Sequence, residues 1–324
     1  MEKGVAIVVA HNSGSYVKDC LAAIPSEWEI LLIDNGSEPG TAYRGESQER
    51  SVKYIRNQEN LGFAGAINQG VALTTAPVVV ALNPDAVTAS NSLDKLAKTL
   101  AKPGVGAAGG LLLGGDGRPQ KGFVVRCLPT LASSLSEVLL LNRLWPSNPW
   151  NSRYRCLNFD YSVAQEIEQP AGAALAFRRE AWGSIGGFDE QFYPVWFEDV
   201  DFCRRLRERG WKIQFCPQAL FRHAGAHSVS RLPFGQRQLY WYGNLLLYFR
   251  KHHSAWAVRA LRVGVVVGML LRSLGVIAGG FEGVSRAEAL RSYAQVLWRF
   301  GVRSLQQNWR ASSASPGIPQ AAAK

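Results

Sequence analysis

The chain has 324 residues, 47% of them hydrophobic, and carries a formal net charge of +11 with a pI near 9.6. That length and composition support a real core in one large domain, or one domain with an appendage, and exclude a disordered or fibrous protein. The basic balance suits an anionic partner or surface, and five cysteines without a CxxC pair exclude a disulfide framework and read as reduced cytosolic thiols.

The first ten residues are too short and too acidic-flanked for a signal peptide. Residues 5–10 read as a buried strand that begins the fold, and 16–24 as a helix. Residues 29–33 form a second strand ending at Asp34-Asn35-Gly36, 52–55 a third, and 63–73 a helix. Residues 78–82 are a strand ending at Asn83-Pro84-Asp85, 92–100 a helix, and 105–113 contain a further strand. This alternation predicts an α/β fold with a mostly parallel sheet, in which ligands bind beyond the carboxyl ends of the strands. Three strands end there in polar sets: His11-Asn12, Asp34-Asn35, and Asn83 with Asp85.

From 114 to 169 the pattern blurs and reads as an insertion near a binding face, with a helix over 131–144 and an irregular aromatic loop over 145–150. Residues 171–177 return to a small-residue strand, and 212–216 form a short strand. Between them an aromatic run with Tyr193 and Trp196 meets Glu198, Asp199 and Asp201. Val200, Cys203, Leu206 and Phe202 can form the buried stripe of a short helix stopped by Gly210. Carboxylates at such a helix mouth are favoured by the dipole and suit proton removal from a bound hydroxyl.

There is no GxGxxG after the first strand and no Walker A sequence, which argues against a nicotinamide or P-loop site. Asp34 can accept from the ring N–H of a pyrimidine, though Asp34-Asn35-Gly36 is also turn chemistry. Asp85 suits a hard divalent cation shared with diphosphate oxygens, and His223 or His227 can complete its shell. Cys203 and Cys216 match no familiar zinc spacing.

Seven basic residues from Arg231 to Arg272 interleave with Trp241, Tyr242, Tyr248, Phe249 and Trp256. An apolar segment follows Val263, interrupted by Arg272. A spanning helix needs about 20 apolar residues, so the segment reads as interfacial, docking on an anionic membrane surface. Nucleic acid has only the net charge in its favour. The division expected is a catalytic domain over 1–228, a helical and membrane-associating segment over 229–310, and a disordered tail over 311–324.

The ordered set of motifs resembles the inverting family 2 glycosyltransferases of the GT-A fold, in the rhamnosyltransferase-like branch. The matching text runs through Ile33-Asp34-Asn35-Gly36-Ser37, Asn60-Leu61-Gly62, Asn68, Asn83-Pro84-Asp85, Gly172-Ala173-Ala174, Gly186-Gly187-Phe188-Asp189-Glu190, Glu198-Asp199-Val200-Asp201 and His223, over residues 4 to 228. The resemblance implies a GT-A catalytic domain with a C-terminal helical appendage. It implies transfer of a sugar, L-rhamnose from dTDP-L-rhamnose, to a lipid-linked or polysaccharide acceptor on the cytoplasmic face of the membrane. Asp199 would be the base, and Asp34, with His11 and Asn12 beside it, would hold the pyrimidine. Asn60, Asn68 and Asn83 would line the nucleotide pocket. Asp85 and His223 would meet Mg2+ or Mn2+, and Trp196 and Glu198 the acceptor. Asn83 stands where many relatives carry a first Asp. The alternatives are a UDP-hexose or galactofuranose donor, or a non-catalytic binder of sugar nucleotides or polysaccharide.

Overall fold

A computed structural model of the chain describes residues 4–43, 52–225, 232–279 and 283–302. The expected strands and helices of the first half form β1 (Gly4–Ala10), α1 (Gly14–Ala23), β2 (Glu29–Asn35), β3 (Val52–Asn57), α2 (Gly62–Ala72), β4 (Val78–Leu82), β5 (Ala86–Thr88), α3 (Ser92–Leu100) and β6 (Val105–Leu113). Every residue of β1 and β4 is buried, because helices cover both faces of the sheet there.

Three two-residue strands follow, β7 (Val125–Arg126), β8 (Gln165–Glu166) and β9 (Gln169–Pro170), and then β10 (Ala174–Arg178) and β11 (Lys212–His223); the sheet order is β3-β2-β1-β4-β10-β6-β11-β5. Strands β1 to β4 are mutually parallel, so their carboxyl ends share one edge. Strand β10 runs antiparallel to β4, with Ala174 opposite Leu82, which brings Gly172 and Ala173 to the same edge. This is a mostly parallel mixed α/β sheet, as the alternation requires.

Three expectations need correction. The helix expected over 131–144 breaks into α4 (Leu131–Val138) and α5 (Leu141–Leu144), because Leu140 takes a left-handed backbone with φ 65°. The aromatic loop is irregular only to Asn148, whose side chain accepts from Asn151 N at 2.9 Å and caps α6 (Pro149–Tyr154). Strand β11 runs on to His223, through a register shift between Cys216 and Leu220, so His223 lies on the strand and not after it.

After the short α7 (Arg179–Ser184), the acidic helix forms as α8 (Glu198–Glu208), with Val200, Phe202, Cys203 and Leu206 all buried. Burial of side chains of that size contributes about 1.5–3 kcal/mol each. Gly210 follows at φ 87°, the left-handed stop that ends the helix. Among the described residues three further α-helices follow, α9 (Phe234–His252), α10 (Ala255–Ile277) and α11 (Arg286–Val296), the last continued by a π-helical turn over Leu297–Val302. They build a second core around Leu246, Tyr248, Phe249, Leu261, Val265 and Met269, and that core also takes in Phe192, Phe197 and Val200.

The basic-aromatic belt is in large part internal to this bundle. Tyr242, Tyr248 and Phe249 are buried. Lys251 pairs with Asp189 and Asp201, and Arg262 donates to Phe300 O. Arg272 does not break α10: it turns to the carbonyls of Val138, Gly268 and Glu137 and lies over the Tyr242 ring. Helix α10 is long and apolar enough to cross a membrane by length and composition, with mean hydropathy 1.9. One face packs in the bundle; on the other, Val263, Leu270, Leu274 and Ile277 are exposed. Arg231, His227 and the 311–324 tail lie outside the described residues.

Close approach of α4 to α10 depends on Gly268, where a Cβ would meet Val138 O at 2.1 Å. Gly268→Ala is expected to lower stability by about 1–3 kcal/mol through overpacking. Gly275→Ala on the same helix, with nothing within 4 Å, is expected to be neutral or stabilising by up to ~1 kcal/mol. Urea unfolding of the two variants checks the contrast.

Candidate active site

A cleft of about 340 Å³ opens at the carboxyl edge of the parallel strands. Of the residues expected at a site, His11, Asn60, Asn83, Asp85, Trp196, Glu198, Asp199 and His223 line it. Residues from β1, β4, β10, β11 and the head of α8 thus meet in one place, although they span more than 200 positions of sequence.

Helix α8 carries the two carboxylates in its first turn. Trp196 and Phe197, immediately before it, have φ 75° and 72°. Two successive non-glycine residues in that region cost on the order of 1–3 kcal/mol each and persist only where the surroundings hold them. Asn244 of α9, fully buried, does so by donating to Val195 O at 2.9 Å and to Trp196 O at 3.2 Å. The other side of α8 is fastened through Asp201, whose carboxylate meets Arg205 Nε at 2.7 Å, Lys251 Nζ at 2.8 Å and His252 Nε2 at 2.6 Å. Burial opposes its charge, but His252, Arg205 and Lys251 outweigh it and hold its pKa below the usual Asp value. Asp201 is therefore a structural anchor and not part of the cleft.

Glu198 and Asp199 differ in surroundings. Asp199 Oδ2 accepts from Gln169 Nε2 and Gly172 N, both at 3.0 Å, and Oδ1 accepts from Val200 N at 2.8 Å. A Cβ at residue 172 would press on Asp199 Oδ2 at 3.2 Å, so glycine suits this approach. Burial pushes the pKa of Asp199 up, while the charge of Arg126 and the N–H donors pull it back. Burial, then the neighbouring Asp199 charge, drive Glu198 well above the usual carboxylate range, and its Oε2 has no partner. The pair is therefore unequal: three N–H donors and the Arg126 charge favour the ionised form at Asp199, while burial beside that carboxylate disfavours it at Glu198. A carboxylate has about four lone-pair positions; three are used, and Oδ1 retains one for a bound hydroxyl.

Opposite chemistry gathers at Asp85. Its Oδ2 accepts from Gly225 N at 3.1 Å, and its Oδ1 lies 3.5 Å from His223 Nε2. Gln120 donates Nε2–H to His223 O at 2.9 Å, which turns its Oε1 toward His223 Nδ1, also at 2.9 Å. That assigns the proton to Nδ1 and leaves a lone pair on Nε2, which is buried without a hydrogen-bond partner. Nε2 and Asp85 Oδ1 face each other at that separation, an arrangement that either a proton on Nε2 or a cation beside the two atoms would satisfy. No group of three or more His, Cys, Asp or Glu fit to hold a metal occurs among the described residues. A pair fits Mg2+, which takes one or two carboxylates and fills its remaining positions with phosphate oxygens and water.

Three residues sit differently from expectation. Asn68 is not in the cleft wall; its side chain brackets Phe188 N and O and Trp182 Nε1 and reaches Glu190. Asn12 also lies outside it, its Oδ1 accepting from Glu38 N and Thr41 Oγ1. Asp34 is buried behind the wall, bonded to Ser37 N and Tyr54 Oη at 3.0 Å each. Its neighbour Asn35 lines the cleft instead and ties β2 to Asn60, Asn57 and Leu61 N. Cys203 and Cys216 are buried in the main core, and no metal-holding group includes them among the described residues. Arg126, Gln169, Phe123 and Trp241 line the cleft unannounced by the sequence. Arg126 is propped by Gly122 O at 2.9 Å and lies over the Phe123 and Tyr154 rings.

The profile of Glycosyl transferase family 2 matches residues 5–182, more than half of the chain, and that of Glycosyl transferase family group 2 matches 152–300. The sequence is 29% identical, over 82% of this chain and 90% of the relative, to the N-acetylglucosaminyl-diphospho-decaprenol L-rhamnosyltransferase of Mycobacterium tuberculosis. It is 23% identical, over 84% of this chain and 53% of the relative, to the pre-mycofactocin glycosyltransferase of the same organism. In fold it is similar to a mannosyltransferase from Pyrobaculum calidifontis in complex with GDP-Man and Mn2+, with a TM-score of 0.51, 18% identity, and coverage of 92% of this chain and 81% of that one. The chain belongs to glycosyl transferase family 2.

Asn244→Ala removes the donor that holds the Val195 and Trp196 carbonyls. It is expected to cost about 1–3 kcal/mol of stability and to lower kcat by more than it weakens binding of a sugar nucleotide. Denaturant unfolding, steady-state rates and calorimetry on the one variant check both parts.

Proposed function

We propose that this family 2 glycosyltransferase moves L-rhamnose from dTDP-L-rhamnose to a lipid-linked saccharide at the cytoplasmic face of the membrane, with inversion. The observation that supports the chemistry is the carboxylate pair at the head of α8, with Asp199 held by three N–H donors beside Arg126 in the same cleft as Asp85 and His223. The sugar, the donor nucleotide and the acceptor class rest on the rhamnosyltransferase relative, which matches along most of both chains.

In this reading Asp199 Oδ1 takes the proton from the acceptor hydroxyl as that oxygen attacks the anomeric carbon, and Arg126 keeps Asp199 ionised. Trp196, beside it, offers the face on which an acceptor sugar packs. Asp34 accepts from the pyrimidine ring N–H in place of Tyr54, which is 45% exposed and can yield. His11, Asn60 and Asn83 border the nucleotide. Asp85 and His223 would hold a divalent cation, which when bound neutralises charge on the departing diphosphate. No second carboxylate has to act as an acid, unlike a glycoside hydrolase, which flanks the bond with two. The 1–228 segment would be the catalytic unit, and the 229–310 segment would both brace it and dock it. The exposed apolar face of α10, with Trp256 and Arg259 at its start, supports docking on an anionic membrane.

Asp199→Asn is expected to keep dTDP binding and lower kcat by about 10²–10⁴-fold. The wild-type rate should fall on acidification through a pKa above the usual Asp value of about 4, because burial raises that of Asp199 and the base must be unprotonated. Asp85→Ala should lose only the Mn2+-dependent part of donor binding. Near-normal turnover by Asp199→Asn would remove it as the base.

A further inference from the structure

A second cavity, about 330 Å³, lies between the insertion and the helical bundle. Its wall includes Arg143 of α5, Arg272 and Gly275 of α10, Tyr293 of α11 and Trp241 of α9. Trp241 also lines the active-site cleft, so the two spaces share one side chain as a partition. Leu271, 42% exposed, lines the cavity and belongs to the exposed apolar face of α10 that includes Leu270 and Leu274. The cavity therefore joins the catalytic cleft on one side and an apolar surface on the other.

Its electrostatics favour an anion. Arg143 makes no ion pair with any described residue. Arg272 makes no ion pair with any described residue: carbonyl oxygens engage three of its five N–H groups, and its guanidinium lies over the Tyr242 ring. Glu137 is the one carboxylate in the wall, and it is taken up by Asn142 Nδ2 at 2.6 Å and Arg155 Nη2 at 3.7 Å. Two guanidinium charges thus face the space without a carboxylate of their own, and Arg is the side chain best shaped for phosphate oxygens. Leu140, also in the wall, holds a left-handed backbone that a leucine rarely adopts, and this places α5 and Arg143 at an angle to α4.

We propose that this cavity is the carrier subsite: it holds the diphosphate of a polyprenyl-diphosphate acceptor, whose isoprenoid chain leaves along the apolar face of α10 while the attached sugar passes Trp241 to Asp199. The proposal rests on the reading of the acceptor as a lipid-linked saccharide. It gives the insertion and the bundle a joint task, since neither alone encloses the space.

Calorimetry with farnesyl diphosphate, in the presence of a chelator, tests it without any need for turnover. The full-length protein should bind farnesyl diphosphate, and bind inorganic diphosphate and farnesol each more weakly. Gly275→Leu, which fills open space at the wall, and Arg143→Gln should each weaken farnesyl diphosphate by about tenfold or more and leave dTDP unchanged. Asp85→Ala should leave farnesyl diphosphate unchanged. Equal binding by the two cavity variants and the parent, loss in Asp85→Ala instead, or no binding by the parent overturns the proposal. Cavity-dependent binding without rhamnosyl transfer to any lipid-linked saccharide would sustain it and remove the donor reading.

Discussion

The backbone at Trp196 and Phe197 is the constraint on which the site depends. A left-handed pair there turns the chain so that α8 begins with Glu198 and Asp199 at the cleft. That turn is unfavourable by itself and is held by Asn244, reaching from a helix that begins more than thirty residues after α8 starts. The same helix fastens the far side of α8 through Lys251 and His252 to Asp201, and Arg204 of α8 donates to His252 O at 2.9 Å. The bundle is thus less an attachment than the clamp of the catalytic helix, and Phe197 and Val200 belong to its core.

Holding the turn gives two adjacent acids unequal surroundings. Glu198 is buried with an oxygen unpartnered, whereas Asp199 receives three donors and the field of Arg126. Equal environments would leave both carboxyls competing for one proton. Under the proposed function the asymmetry favours one base, and Asp85 and His223 line the same cleft on the sheet side. In that reading the sheet edge would serve the donor, and α8 with the insertion the acceptor.

The strands of the sheet were legible because parallel, doubly covered strands read as unbroken apolar runs. Residues 78–82 and 92–100 match β4 and α3 without shift. Asp85 was legible as a polar residue where an apolar strand ends, and Asp199 as an acid at the head of an amphipathic helix; both line the cleft. Side-chain direction was not. Asn68 sits in a stretch that faces the site, yet its amide closes around Phe188, a contact 120 residues away in sequence. Arg272 looked like an interruption of an apolar helix, but carbonyls left free where α4 ends give it partners. Leu140 carries no mark of a helix break, since leucine is a good helix former and tertiary packing overrides it. Asn244, Gln169 and Arg126 act through contacts that only the fold creates, and no local pattern distinguishes them from other polar residues.

The proposed function, with one base and a diphosphate leaving group on separate parts of one cleft, calls for in-line displacement, and the anomeric configuration of the product reads that out directly. Proton NMR of the product formed from a β-linked dTDP-L-rhamnose donor should show an α-rhamnosyl linkage. A β-linked product would mean retention through a different nucleophile and would contradict the assignment of Asp199 as a base.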